Sequence, residues 1–215
     1  MSRDILLFDL DGTLTDSGPG IMKAGQYALR AYGIERDWRE LAFFVGPPLT
    51  DTFARFVPAQ DVDAAAAKFR EYYLKDGWLD NAPYPGIPEL LAHLKAQGKR
   101  LFVATSKLDT IAVQVLEHFG LAPYFEAICG APLGDKEAGK KENVVRAALK
   151  VTNCTDLSRA VLVGDRAHDV LGGHRAGLDV IGVLYGYGSR EELENAGAEA
   201  IAATPEELET ILTSD

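Results

Sequence analysis

At 215 residues the chain is long enough to bury a substantial hydrophobic core, either as one large domain or as a core domain carrying a modest insert. With 47% hydrophobic and 25% charged residues it reads as an ordinary globular protein. No apolar run approaches membrane-spanning length and the N-terminus does not resemble a signal peptide, so a cytoplasmic location is expected, while a formal net charge of −10 argues against a nucleic-acid polymer or an anionic membrane as partner.

In chain order, the apolar run "ILLF" (5–8) predicts a buried strand that ends in the acids Asp9 and Asp11, with Asp16 a little further on. From 17 to 81 the pattern changes. This stretch holds no convincing buried strand, but "GIMKAGQYALRAYG" and "DVDAAAAKFREYYLKDGWL" carry helical periodicity, which predicts a small helical insert placed directly after the first strand. The prolines and Gly86 of "NAPYPGIPEL" mark a stiff return linker and the start of a helix. Thereafter helices and strands alternate. "IPELLAHLKAQG", "DTIAVQVLEHFG", "KENVVRAALK" and "AHDVLGGHRAG" read as helices, three of them closing near a glycine. "RLFVATS" (100–106), "EAICGA" (126–131), "AVLVGD" (160–165) and "DVIGVLYG" (179–186) read as strands buried on both faces. The expected fold is a doubly wound parallel α/β sheet, with a core domain over 1–16 and 82–215 and a helical domain over 17–81. Cys129 and Cys154 have no metal-ligand spacing and are expected to be reduced thiols.

In an open parallel sheet, ligands bind beyond the carboxyl ends of the strands. The residues delivered there are Asp9 and Asp11, then Thr105 with Ser106 and Lys107, then Asp165 with Asp169. Two like charges about 4 Å apart repel by roughly 4 kcal/mol at an effective dielectric near 20, so this crown of carboxylates calls for a cation. Oxygen-only ligands favour a hard ion, and Mg²⁺ suits a few carboxylates together with a substrate phosphate. Each piece has a plainer reading in isolation. Asp9 and Asp11 could be turn formers, Thr105 and Ser106 could cap the helix near Asp109, Asp165 could be an N-cap, and Lys140 and Lys141 could be solvated. Their joint order, each at the end of a different strand or at a helix start beside that edge, favours a shared site.

The segments "DLDGT", "ATS", "KKENV" and "GDRAHD", in this order, resemble the four signature motifs of the haloacid dehalogenase superfamily. The insert resembles the helical cap of the phosphoglycolate phosphatase and β-phosphoglucomutase branch, and "VGPPLTDTF" and "IGVLYGYGS" resemble its phosphoglycolate phosphatase-like group, some members of which are described as 5′-nucleotidases. The resemblance implies that Asp9 is the nucleophile, forming an aspartyl-phosphate, and that Asp11 is the general acid and base. It also implies Mg²⁺ held by Asp9, the backbone carbonyl of Asp11, Asp165 and Asp169, and phosphate held by Thr105, Ser106 and Lys141. The pattern Lys-x-x-Val-Val favours Lys141, with the adjacent Lys140 an alternative. Asp16 is expected to cap the chain as it enters the insert.

These features predict a phosphatase acting on a small phosphomonoester. Asp11 argues against dehalogenation, which needs no second acid. A 5′-nucleotidase, a β-phosphoglucomutase-like phosphomutase and, from another class, a non-catalytic binder of phosphate ligands are the alternatives. Related caps often carry an arginine where Thr50 stands here, which weakens the case for a carboxylated substrate. Phe43, Phe44 and Phe53 are expected to be core residues of the cap rather than a base-stacking platform, and both monomer and homodimer are compatible with the sequence.

Overall fold

The computed structural model describes residues 3–135 and 137–214. The chain divides into two compact units, one made of 1–15 with 83–215 and the other of 16–82. In chain order the principal elements are β1 (Ile5–Phe8), α1 (Gly18–Arg30), α2 (Leu49–Phe53), α3 (Val62–Lys75), α4 (Ile87–Ala96), β2 (Arg100–Leu108) and α5 (Asp109–His118). They are followed by β3 (Ala127–Ala131), α6 (Lys141–Thr152), β4 (Ala160–Gly164), α7 (Ala167–Ala176), β5 (Asp179–Val183), α8 (Arg190–Ala196), β6 (Ala200–Ala202) and α9 (Pro205–Thr213).

The larger unit is the expected doubly wound α/β layer structure. Its six strands lie in the order β3-β2-β1-β4-β5-β6, every pair parallel. The order reverses at β1, which pairs on one side with β2 from Ile5 opposite Arg100 and on the other with β4 from Ile5 opposite Ala160. That reversal places a crevice beyond the carboxyl ends of the three central strands. The continuous apolar runs have the burial that a sheet covered on both faces demands: β1 and β4 are buried along their whole length. One face of the sheet packs Leu7, Phe102 and Leu162 against Val144, Val145 and Val170 from α6 and α7.

Several boundaries depart from the sequence reading. β2 runs on to Leu108 with a register break against β3 between Ala104 and Leu108, whereas β5 stops at Val183, leaving "LYG" in a loop. β6 went unpredicted because three alanine-rich, partly buried residues at a sheet edge leave no apolar run. The helix stops follow the anticipated chemistry in α7, which ends on Gly177 at φ +91°, while α6 uses Asn153 at φ +55° in the same left-handed role. Asp16 is not the cap of α1: Ser17 holds that position and its side chain makes no capping bond, Pro19 in the first turn already lacking an N–H to satisfy.

The smaller unit is helical throughout its described elements. Its core is an aromatic cluster in which Phe44, fully buried, meets Phe53 edge-on at 5.0 Å and stacks with Phe69 at 6.3 Å. Phe43 is half-buried and stacks on Phe56 at 5.5 Å, with the Arg55 guanidinium 5.2 Å from its ring centroid. These side chains are committed to one another, in keeping with a packing role.

Candidate active site

Asp9 leaves β1 still bound to the sheet, its N–H donating to Val163 O at 2.9 Å. The chain then turns at once. The N–H groups of Leu14 and Thr15 both donate to Leu10 O, at 2.9 and 3.0 Å, and Gly12 adopts φ +86°. Gly12 is needed for a second reason: a Cβ there would stand 2.3 Å from Asp165 Oδ2. The turn buries Asp9 and leaves Asp11 partly open, so the two acids meet different partners.

Asp9 faces Lys141, the first residue of α6. Lys141 Nζ lies 2.6 Å from Asp9 Oδ1 and 2.8 Å from Asp169 Oδ1, with the lysine side chain only 3% exposed. The same ammonium donates to Ala104 O at 2.9 Å, at the point where the β2–β3 register breaks. Lys140, by contrast, pairs with Glu137 at 2.6 Å on the surface. Thr105, buried, follows Ala104, and its Oγ1 accepts from the Lys107 N–H at 3.2 Å; Ser106 beside it is half-buried. Neither residue caps α5, whose N-cap position is Leu108.

Asp165 lies in the turn between β4 and α7 and Asp169 is the third residue of α7, and both are fully buried. Asp169 Oδ2 accepts from the Arg166 N–H at 3.0 Å, which secures the start of α7, so Arg166 rather than Asp165 is the residue at that helix N-cap. Asp165 Oδ2 accepts from the Tyr187 N–H at 2.8 Å, and its Oδ1 has no hydrogen-bond partner. The loop supplying Tyr187 presses closely on this carboxylate, since a Cβ on Gly186 would stand 2.2 Å from Gly12 O and 2.6 Å from Asp165 Oδ2. Asp165 is thereby clasped between two glycine turns. Sequence reasoning missed this contribution, although the glycine spacing in "YGYG" after a strand was its visible trace.

The electrostatics follow from burial. Burial pushes the Asp165 carboxyl well above the usual carboxylate range, the nearby Asp169 charge adds to this, and the Tyr187 N–H only partly opposes it. Burial likewise raises Asp9, against the pull of Lys141 and with a further push from Asp169. Asp169 is the carboxylate held low: burial works against its charge, but His168 and Lys141 outweigh it. Burial draws Lys141 down, yet Asp169 and Asp9 carry it up to about 12, so it is a fixed cation.

The residues fit a hard divalent cation. Of three buried carboxylates, two contact the one buried ammonium and Asp165 does not, which leaves negative charge in excess, and Asp165 Oδ1, without a hydrogen-bond partner, is an oxygen donor suited to a cation. Asp9, His168 and Asp169 also offer ligand atoms lying within 4.8 Å of one another. An oxygen-preferring ion favours Asp165 over the imidazole for the third place.

The family model described as haloacid dehalogenase-like hydrolase matches residues 6–183. A 5′-nucleotidase of Pseudomonas aeruginosa is 40% identical over 87% of this chain and 86% of its own length. A protein named tyrosine-protein kinase PtkA, from Mycobacterium tuberculosis, is 38% identical over 98% of this chain and 73% of its own length. A phosphoglycolate phosphatase of Caulobacter vibrioides is 31% identical over 97% of this chain and 92% of its own. The solved structure of a predicted phosphatase from Clostridium acetobutylicum superposes with a TM-score of 0.94 at 42% identity, covering 99% of both chains. With a matching family model across most of its length, and relatives of this similarity along nearly all of it, the chain belongs to the haloacid dehalogenase-like hydrolase family.

Proposed function

We propose that this hydrolase of phosphoric monoesters works through an aspartyl-phosphate on Asp9, with Mg²⁺ as cofactor and a small phosphorylated metabolite as substrate. The observation that carries the reading is the separation of the two acids: Asp9 sits buried against Lys141, while Asp11, from the same turn and slightly more open, meets a different lysine, Lys107. A nucleophile and a proton carrier need these different settings. Asp9 Oδ attacks phosphorus as the bond to the leaving oxygen breaks, and Asp11 delivers a proton to that oxygen. In the second half Asp11 takes a proton from water as the water oxygen attacks phosphorus, which frees the Asp9 carboxylate. Lys141 and Thr105 are assigned to the non-bridging oxygens, with Ser106 beside them. Asp9, Asp165, Asp169 and the Asp11 carbonyl would hold Mg²⁺, whose chemistry is charge neutralisation of the phosphate among the carboxylates.

The relatives named phosphoglycolate phosphatase and 5′-nucleotidase set the substrate panel. Purified protein is incubated with phosphoglycolate, sugar phosphates and nucleoside monophosphates, with Mg²⁺ or chelator, beside Asp9→Asn. Metal-dependent phosphate release that vanishes in Asp9→Asn is the expected result. Release that survives the substitution would overturn the mechanism. The relative named as a tyrosine kinase adds one further arm, ATP with a tyrosine-containing protein, in which transfer without hydrolysis of any monoester would replace the phosphatase reading.

A further inference from the structure

The partner of Asp11 is Lys107. Its Nζ lies 2.9 Å from Asp11 Oδ1 and 3.0 Å from Oδ2, so the ammonium straddles the carboxylate rather than touching one corner. Both side chains are largely covered, at 6% and 13% exposure. Lys107 is delivered by the register break of β2, two residues after Thr105 and bonded to it through its own N–H. The break therefore aims the Ala104 carbonyl at Lys141 and places the Lys107 ammonium on Asp11. Covered ion pairs contribute little net stability, because desolvation offsets their attraction, so stability alone gives little reason for a lysine here. What such a pair does supply is orientation: an ammonium between two oxygens restrains rotation of the carboxylate about its terminal torsion.

We propose that Lys107 is a positioning residue for proton transfer, holding the Asp11 carboxyl so that one oxygen keeps the ammonium contact while the other meets the leaving group. This rests on the phosphatase reading above and adds a second, separate lysine to it. Lys141 serves the nucleophile and the phosphate, and Lys107 serves the acid.

The two roles separate by leaving group. Departure of an alkoxide needs a proton, whereas p-nitrophenolate leaves without one, and kcat/KM reports the steps up to that departure and excludes later hydrolysis of the aspartyl-phosphate. We would compare wild type, Lys107→Met, Lys107→Arg and Asp11→Asn on p-nitrophenyl phosphate and on the alkyl phosphate turned over fastest in the panel. Lys107→Met is expected to lose on the order of 10- to 100-fold in kcat/KM on the alkyl ester, with a loss below about threefold on the aryl ester. Lys107→Arg should recover part of the alkyl loss, and Asp11→Asn should show the same discrimination more strongly. Should Lys107→Met fail to fold, as judged by circular dichroism, Lys107→Arg and Lys107→Gln are read by the same ratio. Equal losses on both esters, or none on either, would overturn the assignment while leaving the phosphatase intact. No release from any ester by wild type would overturn the phosphatase reading and this assignment with it.

Discussion

Replacing Lys141 by Met tests the electrostatic frame of the site. The ammonium is the buried cation between Asp9 and Asp169, at 2.6 and 2.8 Å. Methionine approximates the lysine stem but is one atom shorter, and it removes both the charge and the donor to Ala104 O, leaving two buried carboxylates without their cation. Breaking a buried ion pair in this way costs about 3–5 kcal/mol. For a chain of this size each kcal/mol moves Tm by about 2–4 °C, so the expected fall is roughly 6–20 °C in metal-free buffer. The lower part of that range applies if Asp9, already pushed up by burial, takes up a proton in the variant. The sign of the lysine's own titration sets the assay pH. Its folded value is raised to about 12 from an ordinary 10.5, so its contribution is complete below about 10.5 and is lost only as pH climbs through about 12. Calorimetry with chelator at pH 7.5 therefore samples the full effect. Lys140→Met, at the exposed surface pair with Glu137, is the control and should stay within about 0.5 kcal/mol of wild type. A Tm fall below about 2 °C for Lys141→Met, or equal falls for the two variants, would refute the reasoning.

Two further outcomes follow from particular contacts. In Gly186→Ala the new methyl group would overlap Gly12 O and Asp165 Oδ2, so the clasp must open and misplace the Asp165 carboxylate; Mg²⁺ affinity measured by isothermal calorimetry should fall at least about tenfold, the scale expected of groups that orient metal ligands, and unchanged affinity would show that the clasp is dispensable. The half-exposed Arg100–Glu126 pair holds the Glu126 carboxyl below its usual value through the guanidinium hydrogen bond, so its contribution is present above about pH 4.5 and lost as pH falls through the depressed value; Glu126→Gln should cost under about 1 kcal/mol at pH 7, discounted for solvent screening, and the difference from wild type should shrink in thermal melts as pH is lowered below 4.5.

Much of this protein is local in origin, and what is local was legible. The runs "ILLF" and "AVLVG" are buried strands because nothing in them tolerates water, and the acids that follow them reach one sheet edge because parallel strands all end on the same side. Gly177 ends α7 as the glycine stop foretold, since only a residue comfortable at positive φ lets the last carbonyls be capped there. The three-residue β6 escaped notice because it has almost no apolar surface, and its existence depends on the strand beside it.

The amino-acid sequence by itself determined the alternation of strands and helices, the parallel sheet and the set of charged residues brought to its carboxyl edge. Tertiary structure alone decided who pairs with whom. Lys107 and Asp11 stand 96 positions apart, and no local pattern tells a covered ammonium on an acid from a solvated surface lysine. The clasp on Asp165 is made by backbone, a Tyr187 N–H and two glycines without side chains, so residue identity scarcely records it. Burial is a property of the assembled sheet and its helices, and it is burial that raises Asp165 and leaves its Oδ1 without a hydrogen-bond partner, while the carboxylates brought around Lys141 keep it a fixed cation.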